Sequence, residues 1–518
     1  MTALVGIDKG TTMTKAVVFD AQTGRVLGMA RRPTQSFRPQ PDWHEEDMEG
    51  TWRRAADAVR EAVAAAGVDP GSIAGVGVSG HMGGLWALDR AGAPLGRAIA
   101  WPDARAAGLL TRWQADGRVH ALYETSGNAP IPGLPLVLLA FMREQNPGFL
   151  ENAAHVFCAK DFINYRLTGQ IATDESDISF FPCNISARCL SADLFKLADL
   201  GGYERIVPQV LPTGALIGSV TGEAAAATGL RAGTLVVTGA GDAVAAAIGV
   251  GALMPGQAVT VIGTSFMNNL TVDRPVMEPA GVGFLFLMPD GRCQRLMSNT
   301  GGGSVCLDWA LEVFGPAGFE GQDADTVFAR IEREARMLPP LPGGLLLHPY
   351  LNTSGMSAPR HIPAARGSIF GLGAETTPMA LIRAVMEGVA FSMIDCYAAL
   401  DAPVTDIRIT GGGARSPLWR EICAAAMGRP LLVPEVEETG ALGAALLAAR
   451  AVGLYPDLST AAASLVRIAA TVEPDPGLGV RYAEAFPLFK ALGEALTPLW
   501  QQRAGILAGV HERPVTEP

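Results

Sequence analysis

The strongest constraint on the fold of this chain is a hairpin that it carries twice. Residues 4–20 read LVGIDKGTTMTKAVVFD: an apolar strand reaching Asp8, a turn of Lys9-Gly10-Thr11-Thr12, and a second strand ending in Asp20. Residues 258–273 read AVTVIGTSFMNNLTVD, again an apolar strand, a Gly-Thr-Ser turn and a strand ending in Asp. Apolar runs broken by small polar residues predict strands joined by tight turns. Two copies about 250 residues apart predict an internal duplication, one copy per domain. At 518 residues the chain is too long for one ordinary core, in keeping with that reading. The breakers in GVGALMPGQ place the boundary near residues 250–256, giving domains of 1–252 and 253–518.

Helical and strand patterns alternate around these hairpins, which predicts an α/β fold. The spacing of Trp52, Ala55, Ala56, Val59 and Val63 predicts a helix over about 47–66. IAGVGVSG and LWALD read as a strand pair separated by His81-Met82-Gly83-Gly84. Residues 234–241 read as a strand that runs into Asp242 and an alanine-rich helix. Thr377 followed by Pro378 predicts a helix start, with Leu381, Ile382, Val385, Met386, Val389 and Met393 facing inward. IRIT, then Gly411-Gly412-Gly413, then SPLWREICAAAMG predicts strand, glycine turn and helix. Residues 455–518 read as a helical tail with little site chemistry.

Composition narrows the function classes. A formal charge of −11 offers no basic footprint for nucleic acid or an anionic membrane. No apolar run approaches the roughly 18 residues that a span needs, and MTALVGIDKG lacks the basic and apolar regions of a signal peptide. The seven cysteines are scattered without a CxxC pair, which predicts reduced thiols and a cytoplasmic protein. None of the seven histidines stands at zinc-ligand spacing with them. No lysine follows glycine as a Walker A loop requires. Gly75-x-Gly77-x-x-Gly80 matches a dinucleotide fingerprint, but the residues after it read as turn and strand where a helix should open.

What remains points to phosphate chemistry. Gly, Thr and Ser turns let backbone N–H groups approach an anion, and Thr11, Thr12, Thr264 and Ser265 add hydroxyl donors. The third glycine turn, at 411–413, opens a helix whose N-terminus can receive an anion or a nucleotide. Asp242, in GAGD before a helix, reads equally as a helix cap or as a carboxylate with space for a substrate beside it. Phosphoryl transfer needs one carboxylate to take the hydroxyl proton and carboxylates to hold the metal. Asp242 fits the first role and Asp8 the second.

The stretches GIDKGTTMTKAVVFD, DWHEEDMEGTW, GVGVSGHMGGLWALDRAG, WPDARA, YRLTG, GAGDAVAAAIGVG, VIGTS, RAVMEGVAF and ITGGGARSPLWREICAAAMGRP occur in one order over residues 4–450. In them the chain resembles the FGGY family of carbohydrate kinases, most of all its xylulokinase branch. The resemblance implies two actin-like (ribonuclease H-like) domains flanking a catalytic cleft, with sugar bound mainly by the first and nucleotide by the second. It implies ATP and Mg²⁺, with Asp242 as catalytic base and both Asp8 and Asp242 near the metal. Thr11, Thr12, Lys15, Gly263, Thr264 and Ser265 then lie by the phosphates, and Gly412, Gly413 and Ser416 on the adenosine side. The sugar is expected at His81, Met82 and Gly83, near Trp101, Asp103, Arg105 and Asp242. A homodimer is a family-level expectation only.

Two departures bear on the acceptor. Xylulokinases usually read GQMHG where this chain has Gly80-His81-Met82-Gly83-Gly84, and commonly carry Asn where it has Ala243. LNTSGMSAPR at 351–360 likewise departs from the usual ERTP-like stretch. A site built around hydroxyl partners discriminates strongly through them. The reading is therefore a kinase for a small sugar, with a ketopentose first. Another polyol, a tetritol or a signalling sugar remains open as acceptor, as does a non-catalytic nucleotide sensor on the same fold.

Overall fold

The computed structural model describes residues 1–299, 301–315 and 323–511. In the first half, β1 (Ala3–Lys9), β2 (Met13–Asp20) and β3 (Val26–Pro33) form an antiparallel meander. β4 (Ile73–Gly80) runs parallel to β1 on its other side. β5 (Leu216–Ser219) and β6 (Leu235–Val237) extend the sheet, and the short β7 (Ala240–Gly241) pairs with the end of β4. The order is β5-β6-β4-β1-β2-β3.

The second half repeats this plan. β8 (Gln257–Ile262), β9 (Phe266–Val272), β10 (Phe284–Leu287) and β11 (Cys293–Asn299) are joined antiparallel. β12 (Asp406–Thr410) lies parallel to β8, and β13 (Leu431–Pro434) parallel to β12. β14 (Ile468–Val472) closes the edge antiparallel. In both sheets the opening strand of the hairpin has its hairpin partner on one side and a parallel strand on the other.

The main helices follow the sequence pattern. α1 (Met48–Ala66) buries its predicted stripe against β2 and β3. α2 (Ala159–Thr168) and α3 (Asp242–Gly249) flank the first sheet. α4 (Pro378–Ala398) starts where predicted, with the Thr377 hydroxyl accepting from the Ala380 N–H at 3.2 Å. α5 (Pro417–Met427) follows the glycine turn, and α6 (Thr439–Ala451) is buried on every side. A helix that is apolar all round belongs in a core. α6 comes from the second half yet lies on β1 and β4 of the first sheet and against α3.

Two glycines set how closely it lies. A Cβ on Gly6 would come within 1.9 Å of the Ala441 carbonyl oxygen, and one on Gly443 within 1.8 Å of the Ala245 carbonyl oxygen. The helix thus packs backbone against backbone, and no larger residue fits at either point.

Two expectations are corrected. Trp86–Leu88 is a strand, but it pairs with His155–Phe157 and makes no hairpin with β4. Gly83 and Gly84, both at positive φ, turn the chain out of the sheet before it. The expected helical tail holds Leu458–Leu465 and Pro476–His511 as helices, but Ile468–Val472 between them is the edge strand β14. Residues 512–518 of that tail lie outside the described residues. Among the described residues no helix is long and apolar enough to cross a membrane.

Gly443→Ala is expected to lower stability by about 1–3 kcal/mol through overpacking against α3. Denaturant unfolding checks it, and a variant as stable as the parent would show that α6 has room to move.

Candidate active site

The β1–β2–β3 register lines up one polar row on the face that α6 also covers. Asp8 stands opposite Lys15 across β1 and β2, and Lys15 opposite Arg31 across β2 and β3. On the other side of Asp8, Ser79 and Ala240 continue the row toward Asp242. Asp8, Lys15, Arg31 and Asp242 line one cavity of about 670 Å³ between the two halves. Its far wall is built from the second half: Thr410, Gly411, Gly412, Arg415 and Arg420, then Val433–Gly440. Gly440, in the first turn of α6, sits so close to Asp8 that a Cβ there would be 3.1 Å from its carboxylate.

Asp242 is the first residue of α3, with Gly241 at the cap position, so it is not the capping residue that the sequence also allowed. Its carboxylate accepts from its neighbour Ala243 N–H at 2.7 Å and from the Met82 N–H. Burial, and then the nearby Asp8 charge, push its pKa up to about 7. Asp8 is also raised by burial, against the opposing pull of Lys15. A carboxyl poised near neutrality fits a proton acceptor working at physiological pH.

A fully buried charge cluster holds this strand end in place. Lys160 Nζ lies 2.5 Å from Asp161, 2.6 Å from Asp174 and 2.9 Å from Asp177. Burial raises Asp177 well above and Asp161 above the usual carboxylate range, since one ammonium cannot balance three carboxylates. Asp174 accepts from the Ser176 hydroxyl, and the Ser176 oxygen accepts from the Gly241 N–H at 2.8 Å. The residue before Asp242 is thereby tied to the cluster. The three aspartates have the spacing of a metal site, but the Lys160 ammonium fills it.

Where the acceptor is expected, Met82 packs on Gly241, and a Cβ there would meet its thioether at 2.3 Å. The Trp101 indole donates to the Thr11 hydroxyl at 2.7 Å, bridging the expected sugar loop and the first phosphate turn. Gly83 lies beneath it at φ 95°, its missing Cβ 3.2 Å from the Trp101 Cβ. His81 is buried at 2% exposure, with Nε2 3.4 Å from Lys9 Nζ and 3.6 Å from Glu46. Lys9 and Glu46 form a buried ion pair of 3.0 Å beside it, and Glu46 is pulled down to about 2 by its His81 and Lys9 partners despite burial. Burial and then the Lys9 charge lower the His81 pKa, against the opposing pull of Glu46.

The remaining expected residues divide. Gly412 lines the cavity, while Gly413 is packed behind it against Ile262 and Trp419. Gly263, Thr264 and Ser265 form the β8–β9 turn, where Ser304 N–H bonds Gly263 O; the flanking Val261 and Met267 reach the cavity. Thr12 and Thr264 are exposed at their turn tips. Ser416 is spent as the cap of α5 and on Glu332. Asp103 accepts from Arg105 and the His44 N–H, while Arg105 stacks on Trp43 and pairs with Glu45. Both hold the 43–46 segment, and so Glu46, rather than lining the cavity. Arg31, Glu438 and the Lys160 cluster were not among the expected residues. For Arg31 a signal existed, since pairing 13–20 with 26–33 sets it opposite Lys15.

Comparison with known proteins bears on this arrangement as a whole. The N-terminal domain of the FGGY family of carbohydrate kinases matches residues 3–249, and the C-terminal domain of that family matches residues 258–452. The erythritol kinase of Brucella abortus (strain 2308) is 30% identical, over 97% of this chain and 98% of that protein. The L-xylulose/3-keto-L-gulonate kinase of Escherichia coli (strain K12) is 30% identical, over 95% and 97%. The crystal structure of xylulose kinase from Rhodospirillum rubrum superposes with a TM-score of 0.86 at 27% identity, covering 96% of this chain and all of that one. With two actin-like α/β halves, a shared cleft and matches across both, the chain belongs to the FGGY family of carbohydrate kinases, enzymes that phosphorylate sugars and polyols with ATP.

Proposed function

We propose that the protein phosphorylates a short, neutral polyol or ketose, with a ketopentose or a tetritol as acceptor, and that Asp242 is the base. The observation that carries the base assignment is its raised pKa of about 7 at the mouth of α3, beside Asp8 and within reach of the Met82 loop. The acceptor hydroxyl gives its proton to Asp242, its oxygen takes the γ-phosphoryl group, and ADP leaves. Lys15 offsets phosphate charge, and Gly412 lets the nucleotide approach the backbone. Closure of the halves excludes water and limits idle hydrolysis of ATP.

Asp8 and Asp242 are both raised by burial, and the Asp8 charge raises Asp242 further, a setting that a divalent cation relieves. Their oxygen donors suit Mg²⁺, which when bound would neutralise charge on the phosphates. For the acceptor, the supporting features are Trp101 folded over Gly83 and the buried His81. Lys9, which contacts His81, and Arg105, which pairs with Asp103, are already matched with carboxylates, so the wall favours a neutral acceptor. The free thiols suit a cytoplasmic setting.

A coupled ATP-consumption assay over erythritol, D-threitol, both xylulose enantiomers, glycerol and gluconate tests the acceptor. Turnover with a four- or five-carbon neutral compound is expected, and preference for gluconate would sink the proposal. Asp242→Asn should lose about 10²–10⁴-fold in kcat. Folding raises the Asp242 pKa above its ordinary value of 3.8, so the ionised carboxylate costs stability as pH rises toward and through about 7. The same variant should therefore melt at a higher temperature than the parent at pH 8. Since the base must be deprotonated, kcat/KM should fall as pH drops below about 7; a flat profile down to pH 5 would remove Asp242 from the role. Ser176→Ala, which unpins Gly241, should lower kcat about tenfold with little change in acceptor KM.

A further inference from the structure

Across β2 and β3 the chain sets two cations directly opposite each other, Lys15 and Arg31. Like charges in that register repel, so the pairing is unfavourable unless an anion lies between them. Glu438 supplies it. Its Oε2 lies 2.6 Å from Lys15 Nζ and its Oε1 binds Arg31 Nη2. Glu438 is 7% exposed, whereas Lys15 and Arg31 keep 28% and 44% of their side chains accessible. The carboxylate comes from the second half, at the cap position of α6, and the two cations from the first. All three line the cavity that holds Asp8 and Asp242.

The order along the row carries meaning. Asp8, Lys15 and Arg31 stand on successive strands, each step roughly 4.8 Å. The catalytic end is therefore negative and the next two positions positive, leading away from the transferred group. One carboxylate against two cations leaves this trio with a net positive charge, although Glu435 and Glu437 line the wall beside it. The guanidinium gives Nη2 to Glu438 and has further donors in a planar fork, a geometry that matches phosphate oxygens.

We propose that Arg31 is a second phosphate-binding residue, after Lys15, and that Glu438 is the positioning residue that fixes the two cations side by side. This rests on the kinase reading for its purpose but makes a separate claim about binding. Phosphates beyond the transferred one lie along Lys15 and Arg31, and the adenosine lies toward Gly411 and Gly412. Because Glu438 reaches from α6, the phosphate site is complete only when both halves are docked.

Titration calorimetry with inorganic tripolyphosphate, ADP and adenosine tests it without any turnover. Arg31→Met keeps the aliphatic stem and removes the charge. It should weaken tripolyphosphate and ADP about tenfold, a typical loss for one charge-assisted contact, and leave adenosine unchanged. Glu438→Gln should weaken the same two ligands in the same direction, with Glu438→Asp recovering part of the loss. In turnover, KM for ATP should rise in both variants while KM for the acceptor stays put. Unchanged tripolyphosphate affinity in Arg31→Met would overturn the assignment of Arg31. Tighter tripolyphosphate binding by Glu438→Gln would show that Glu438 competes with phosphate and does not position the cations. Failure of the kinase reading would look different: no acceptor-dependent ADP formation by the parent protein, whatever its affinity for tripolyphosphate.

Discussion

The backbone-to-backbone packing of α6 on the first sheet is the contact on which the site depends. Gly6 and Gly443 let a helix from one half lie at contact distance on the sheet and on α3 of the other. That position brings the first turn of α6 to Asp8 and sets Glu438 between Lys15 and Arg31. A helix displaced outward by a single methyl group would separate the carboxylates, the cations and the Thr410–Gly412 wall of the cavity. The alanine-rich composition of α3 and α6 serves the same end, since small side chains keep the interface thin.

Lysine is used sparingly and close to the cleft. The chain has only five lysines, Lys9, Lys15, Lys160, Lys196 and Lys490, and three of them stand in or directly behind the cleft. Lys9 pairs with Glu46 beside His81, Lys15 with Glu438, and Lys160 with three aspartates behind Gly241. Such pairs add little net stability, because desolvation offsets much of the attraction. Their value lies in fixing geometry: breaking one leaves a buried charge uncompensated, so each loop is confined to one arrangement. Asp242 has backbone donors and, among the described residues, no cation paired with it, and burial and then the Asp8 charge raise its pKa.

Much of the fold was legible because it follows local rules. Both hairpins, α1, α4 with its Thr377 cap, and the strand–glycine turn–helix at 406–427 stand where spacing and turn chemistry put them. The strand at Ile468–Val472 was missed because edge pairing with β13, not local pattern, makes it a strand. The expected hairpin at 73–88 failed because two glycines at positive φ redirect the chain, a choice that the residues alone leave open. Within the site, Asp8, Lys15, Asp242 and Gly412 share one cavity. Ser416, Asp103 and Arg105 have chemistry that suits ligands equally well, but their partners are a helix end and a supporting loop.

The sequence by itself determined the duplicated hairpins, the α/β class and the family, because strand periodicity, turn residues and motif order are local and survive without knowledge of the partner segments. Only the tertiary structure decided which charges meet. Lys15 and Glu438 are 423 residues apart, and Ser176 and Gly241 are 65 apart. Their contacts depend on how α6 and the strand ends dock, which no local pattern encodes. Protonation followed the same division: Asp242 is an ordinary aspartate in the chain, and burial beside Asp8 raises its carboxyl to about 7.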